Sequence, residues 1–140
     1  MIIDVQKNQL KMKLALDAFS ESGVELMFRE PFYSHVFSAI NRVVNESIST
    51  ACIGLVDGSI TIQVSPDFFL NDLSKAERIS VLKHELLHLC LGHLEYSELK
   101  PRDLVNIACD LVVNQYLLPW PVPRDAVTLD SFRDLSLKPR

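Results

Sequence analysis

Val5, Leu10, Leu14, Leu16 and Phe19 stand among charged residues with a roughly helical period. They predict a helix over about 4–20, within an N-terminal region 1–30, with Gly23 as its stop. After Pro31, apolar residues return at spacings of three and four at Phe32, Val36, Ala39, Ile40 and Val43, so FYSHVFSAINRVV reads as a second helix. The pattern then changes. TACIGLVDGSITIQVS holds two runs rich in β-branched residues on either side of Asp57-Gly58, a dipeptide suited to tight turns with positive φ at both central positions. A β-hairpin is expected there, closed by Pro66 and followed by DFFLNDL as a short connection.

Ser74 and Glu77 make an S-x-x-E capping box ahead of a strongly apolar helix over about 75–91, which Gly92 is placed to end. PRDLVNIACDLVVNQYLL reads as a further helix with Pro101 at its start and PWPVP beyond its end. The tail over 124–140 is weakly patterned. Together these elements predict an α+β fold, with helices packed on a small antiparallel sheet or hairpin. The chain is expected to form a single domain over 1–140.

Composition agrees with a folded globular domain: 140 residues, 48% hydrophobic and 23% charged. The formal net charge is -4 and Lys and Arg are scattered among acids, so no basic footprint for nucleic acid or an anionic membrane is present. Asp4, Gln6, Lys7 and Asn8 interrupt the start where a signal peptide needs an apolar run, and no segment approaches membrane-spanning length, which points to a cytoplasmic protein. Cys52, Cys90 and Cys109 form no CxxC pair and are odd in number, so reduced thiols packed in the interior are expected.

The chemistry concentrates in HELLHLCLGH, residues 84–93, which holds three of the four histidines. Residues four apart on a helix share a face, so His84 and His88 project toward a common point where two ring nitrogens can hold one zinc ion. Glu85 sits about 100° round the helix, poorly placed as a ligand but able to abut a water activated by the metal. It is the natural general base for amide hydrolysis.

A catalytic zinc normally takes three protein ligands and leaves one position open. His93 is one candidate for the third, but nine residues beyond His84 a continuous helix points it about 180° away, and only a sharp turn at Gly92 would bring it back. Asp110 is the other. Asn106, Asp110 and Asn114 recur every four residues as one polar stripe on an otherwise apolar helix. A solvent-facing stripe would explain the same three residues. If that helix is buried, however, the carboxylate must be paired or bind a metal. Asp110 is preferred, with Asn114 holding a ligand histidine from behind. A closed site in which His93 is a fourth ligand would instead describe a zinc-stabilised protein-binding module without catalysis. Tyr96, Arg102 and Tyr116 are candidates for stabilising an oxyanion by their proximity to the motif in sequence, but each fits a surface or half-buried position better, and none is assigned that role.

PFYSHVFSAI, ITIQVSPDFF, LKHELLHLCLGH and RDLVNIACDLVVNQYLLP together resemble a bacterial and phage metallopeptidase domain, usually followed by a von Willebrand A-like domain; the resemblance covers most of residues 31–123, which it marks as a family-like core. His84, Glu85, His88, His93, Asn106, Asp110 and Asn114 match that family's pattern. The resemblance implies a zincin-like fold, zinc peptidase activity on a protein or peptide substrate, and a partner domain or protein of von Willebrand A-like type. It also gives the hairpin a role, since an edge strand beside the motif helix, expected to be SITIQVS, could pair with an extended peptide.

Overall fold

The computed structural model describes residues 2–122, so the tail over 124–140 lies outside the described residues. The elements run α1 (Ile2–Arg29), α2 (Phe32–Ser38), β1 (Asn41–Val44), β2 (Ala51–Val56), β3 (Ser59–Val64), α3 (Lys75–Cys90) and α4 (Arg102–Asn114). A π-helical turn over Phe68–Asp72 precedes α3, in place of the plain connection expected there, and a 3-10 turn over His93–Tyr96 follows it. The fold is α+β. No described helix is long and apolar enough to cross a membrane.

Gly23 does not stop the first helix. It lies buried inside α1, where a Cβ would overlap the Phe37 ring, so its missing side chain lets α2 approach rather than ending a turn. Phe37 then meets Phe19 edge to face, and Phe19 meets Phe69 of the π-helical turn in the same manner, with centroids 6.0 and 5.8 Å apart. These rings anchor a core completed by Leu26, Ile62, Leu82, Leu86 and Val113.

The second helix is shorter than its apolar spacing predicts. It ends at Ser38, and residues 41–44 form β1, which pairs in parallel with β3 from Asn41 opposite Thr61 to Val44 opposite Val64. Val43 and Val44 are β-branched and fit a pleated strand, but only the distant partner strand selects that conformation over a helix. The hairpin forms as its dipeptide predicts, with φ of 50° at Asp57 and 81° at Gly58 and antiparallel pairing of β2 with β3. The sheet is therefore mixed rather than antiparallel, in the order β1-β3-β2. This order places SITIQVS in the centre, flanked on both sides. The edge strand that adjoins α3 is β2.

The capping box forms as expected: Glu77 donates its backbone N–H to the Ser74 hydroxyl at 3.2 Å and accepts from the Ser74 backbone at 3.1 Å. α3 buries Ile79, Val81, Leu82, Glu85, Leu86 and Leu87, which face more than one side, because α1, the sheet and α4 all pack around it. Lys83 is buried on its far side from the motif histidines' cavity. Its Nζ donates to Glu30 at 2.7 Å and to the Leu118 carbonyl at 2.9 Å, while Trp120 Nε1 donates to the other Glu30 oxygen at 2.6 Å. This clasp ties the end of α1, the middle of α3 and the segment after α4 together.

Candidate metal centre

α3 presents His84 and His88 one turn apart, as their spacing requires, and α4 crosses them with Asp110 and Asn114. His84 Nε2 and His88 Nε2 lie 3.0 Å apart, and Asp110 Oδ1 lies 3.2 Å from the first and 3.0 Å from the second. Among the described residues these are the one group of three or more metal-ligating side chains whose ligand atoms lie within 4.8 Å of one another. Ligand atoms about 2.0–2.1 Å from an ion in tetrahedral geometry stand roughly 3.3 Å apart, so the spacing fits three ligands of a single small cation.

The other nitrogen of each imidazole is also engaged. His84 Nδ1 lies 2.7 Å from Asn114 Oδ1, which can only accept, so Nδ1 carries a hydrogen; the protonated ring donates from Nε2 to Asp110, and loss of that second proton would leave the Nε2 lone pair for a cation. His88 Nδ1 lies 2.9 Å from His93 Nδ1. The helical projection that sent His93 to the far face does not hold, because α3 ends at Cys90 and Gly92, at φ 73°, turns the chain back. His93 thus stands behind His88 rather than among the three converging atoms. Gly92 was the readable signal for this turn, but its outcome depends on the turn's exact hand and length.

Electrostatics follow from this packing. Burial pushes the Asp110 carboxyl up, but hydrogen bonds and charges from His84 and His88 outweigh it and hold the group well below the usual carboxylate range. Burial lowers the His84 imidazole, and Asp110, Glu85 and Asn114 together more than reverse this. His93 is lowered, by burial first and then by the neighbouring histidine charge of His88, which suits a neutral ring accepting from His88. Glu85 is 8% exposed, and its burial raises the carboxyl against the opposing pull of His84 and His88. A carboxyl so raised is suited to taking and returning a proton.

All these groups except Asn114 border one cavity of about 1190 Å³, walled by α3, by Ala51, Cys52 and Ile53 of β2, and by α4. α4 is not the buried helix its composition predicts. Only Val113 and Asn114 are buried, while Leu104, Ile107 and Val112 are exposed, because the helix packs on α3 by its C-terminal end and overhangs the cavity with the rest. Asp110 is accordingly half-buried, and it is its partners rather than deep burial that mark it. Asn106 is exposed on the cavity wall, and since Asn114 and His93 already face the two Nδ1 atoms, it is not the group that holds either ring.

The cysteines differ from expectation in the same way. Cys52 and Cys90 are exposed and Cys109 is half-buried, all as free thiols. Cys52 and Cys109 border the cavity, but partial burial and the carboxylates of Glu85 and Asp110 respectively push both thiols up and disfavour the thiolate a metal needs. Tyr96 and Arg102 also reach the cavity wall, whereas Tyr116 is exposed elsewhere.

A family model with the description "Putative metallopeptidase domain" matches residues 22–138 of the chain. No curated protein and no solved structure matches it.

Proposed function

The chain belongs to the family described as "Putative metallopeptidase domain", and from that premise we propose that it is a zinc-dependent peptidase with His84, His88 and Asp110 as ligands and Glu85 as general base. The observation that carries the reading is the convergence of His84 Nε2, His88 Nε2 and Asp110 Oδ1 beside the buried Glu85. Two imidazoles and one carboxylate form a ligand set suited to catalytic zinc, with a position left for water. Bound zinc supplies Lewis acidity, which acidifies a water and polarises a carbonyl.

The protein's own groups supply the rest. Asn114 and His93 fix the two imidazoles from behind, which sets the tautomer and aim of each ring. Glu85 accepts a proton from the attacking water, a transfer its raised pKa favours, and returns it to the leaving amine. β2, with one edge unpaired among the described residues and residues 51–53 on the cavity wall, offers main-chain donors and acceptors to an extended substrate. A motif helix beside such an edge strand supports a zincin-like architecture. The position of His93 behind His88 speaks against the closed four-ligand site that a purely structural zinc would have.

The test is cleavage of fluorescently labelled casein. Protein loaded with one equivalent of zinc should cleave it, lose the activity on chelation and regain it when zinc is restored. Cleavage indifferent to chelation, or none with zinc bound at full stoichiometry, would count against the reading.

A further inference from the structure

We propose that Arg102 is the carboxylate-recognition point of the cavity, binding an acidic side chain or free C-terminus of a peptide about three residues from the scissile bond. The proposal rests on the peptidase reading above. Asp110 meets both His84 and His88, and Asn114, one turn further along α4, meets His84 of the earlier turn of α3, so α4 runs antiparallel to α3. Arg102 therefore lies beyond the His88 end of the metal cluster. Arg102, Asn106 and Asp110 are spaced by four and share one cavity-lining side of α4. Eight residues of helix put Arg102 about 12 Å along the axis from Asp110. An extended peptide advances about 3.3 Å per residue, so that distance corresponds to between three and four residues of substrate.

The charges of the cavity favour one placement of an acidic group. Arg102 is the single Lys or Arg among the described residues that line it, while Asp72 and Glu77 stand at the opposite end, seven or more residues before His84. A substrate carboxylate is repelled there and attracted at Arg102. No described carboxylate lies within ion-pair distance of Arg102, so its guanidinium fork is open to a bidentate partner from outside. Asn106, between Arg102 and the cluster, offers an amide to the intervening peptide backbone.

The experiment is cleavage of a randomised synthetic decapeptide mixture by the zinc-loaded protein, with cut sites read by mass spectrometry, using free and amidated C-termini in parallel. The parent should favour a carboxylate at one fixed position two to four residues from the cut by roughly tenfold, the effect of a charge-assisted bidentate pair. Arg102→Gln should abolish the preference and Arg102→Glu should replace it with one for Lys or Arg. A preference that survives amidation identifies an acidic side chain, and one lost on amidation identifies the terminal carboxylate. Cleavage without any carboxylate preference, or a preference unchanged in Arg102→Gln, would overturn the proposal and leave the peptidase reading standing. No cleavage by the parent would overturn the peptidase reading and this proposal with it.

Discussion

Asn114 Oδ1 lies 2.7 Å from His84 Nδ1, a contact between α4 and α3 across 30 residues of sequence. Because this oxygen accepts only, it keeps a hydrogen on Nδ1, so that in the neutral ring the lone pair lies on Nε2, the atom that converges with Asp110 and His88. Asn114→Leu removes the acceptor while keeping a side chain of similar size, and should weaken zinc affinity about 10- to 100-fold. Asn114→Asp keeps the acceptor and should retain most of the affinity. Competition against a chromophoric chelator measures both, with thermal melts to confirm folding.

Asp110 and His93 are separated by their positions relative to His88. Asp110 Oδ1 meets the Nε2 side of that ring and His93 meets the Nδ1 side. Elemental analysis should therefore find no stoichiometric zinc in Asp110→Asn. It should find close to one equivalent in His93→Ala, with affinity lowered about 10- to 100-fold by the loss of a supporting group.

The Lys83 clasp predicts an asymmetric effect on stability. The Lys83 side chain is 4% exposed and that of Glu30 is 26% exposed. Glu30→Ala leaves a buried ammonium with one carbonyl and an indole N–H without its acceptor, and should cost about 3 kcal/mol or more. Lys83→Met leaves a carboxylate that still accepts from Trp120 and reaches water, and should cost clearly less. Chemical denaturation of the two variants compares them directly.

At Gly23 the space for a side chain is occupied by the Phe37 ring. Gly23→Ala should destabilise the protein by about 1–3 kcal/mol through overpacking, despite the better helix propensity of alanine. Adding Phe37→Leu should recover part of the loss, a coupling that denaturation midpoints of the single and double variants report.

The elements and residues legible in the sequence are those set by local chemistry. The capping box of α3, the Asp57-Gly58 turn and the shared face of His84 and His88 each depend on residues within a few positions of one another. What was not legible depends on distant partners. β1 is a strand because β3 lies beside it, and β2 rather than β3 is the edge because β1 occupies the other side of β3. Gly23 reads as a helix stop until the ring of Phe37 arrives. The exposed face of α4 and the exposed thiols of Cys52 and Cys90 follow from an open cavity, which no local pattern announces. In the sequence, Asp110 stands out on the premise that its helix is buried. The premise does not hold, and the residue stands instead on its contacts with two histidines.

Proton acceptance by Glu85 beside the three ligand atoms is the central step of the proposed hydrolysis, and Glu85→Gln removes it. Casein cleavage and bound zinc should be measured on the same preparations of parent and variant. Proton acceptance by Glu85 predicts one equivalent of zinc in both and a fall in cleavage of roughly 100- to 10,000-fold in the variant, the contribution of general-base catalysis. Cleavage by Glu85→Gln at the rate of the parent, with zinc equally bound, would contradict it.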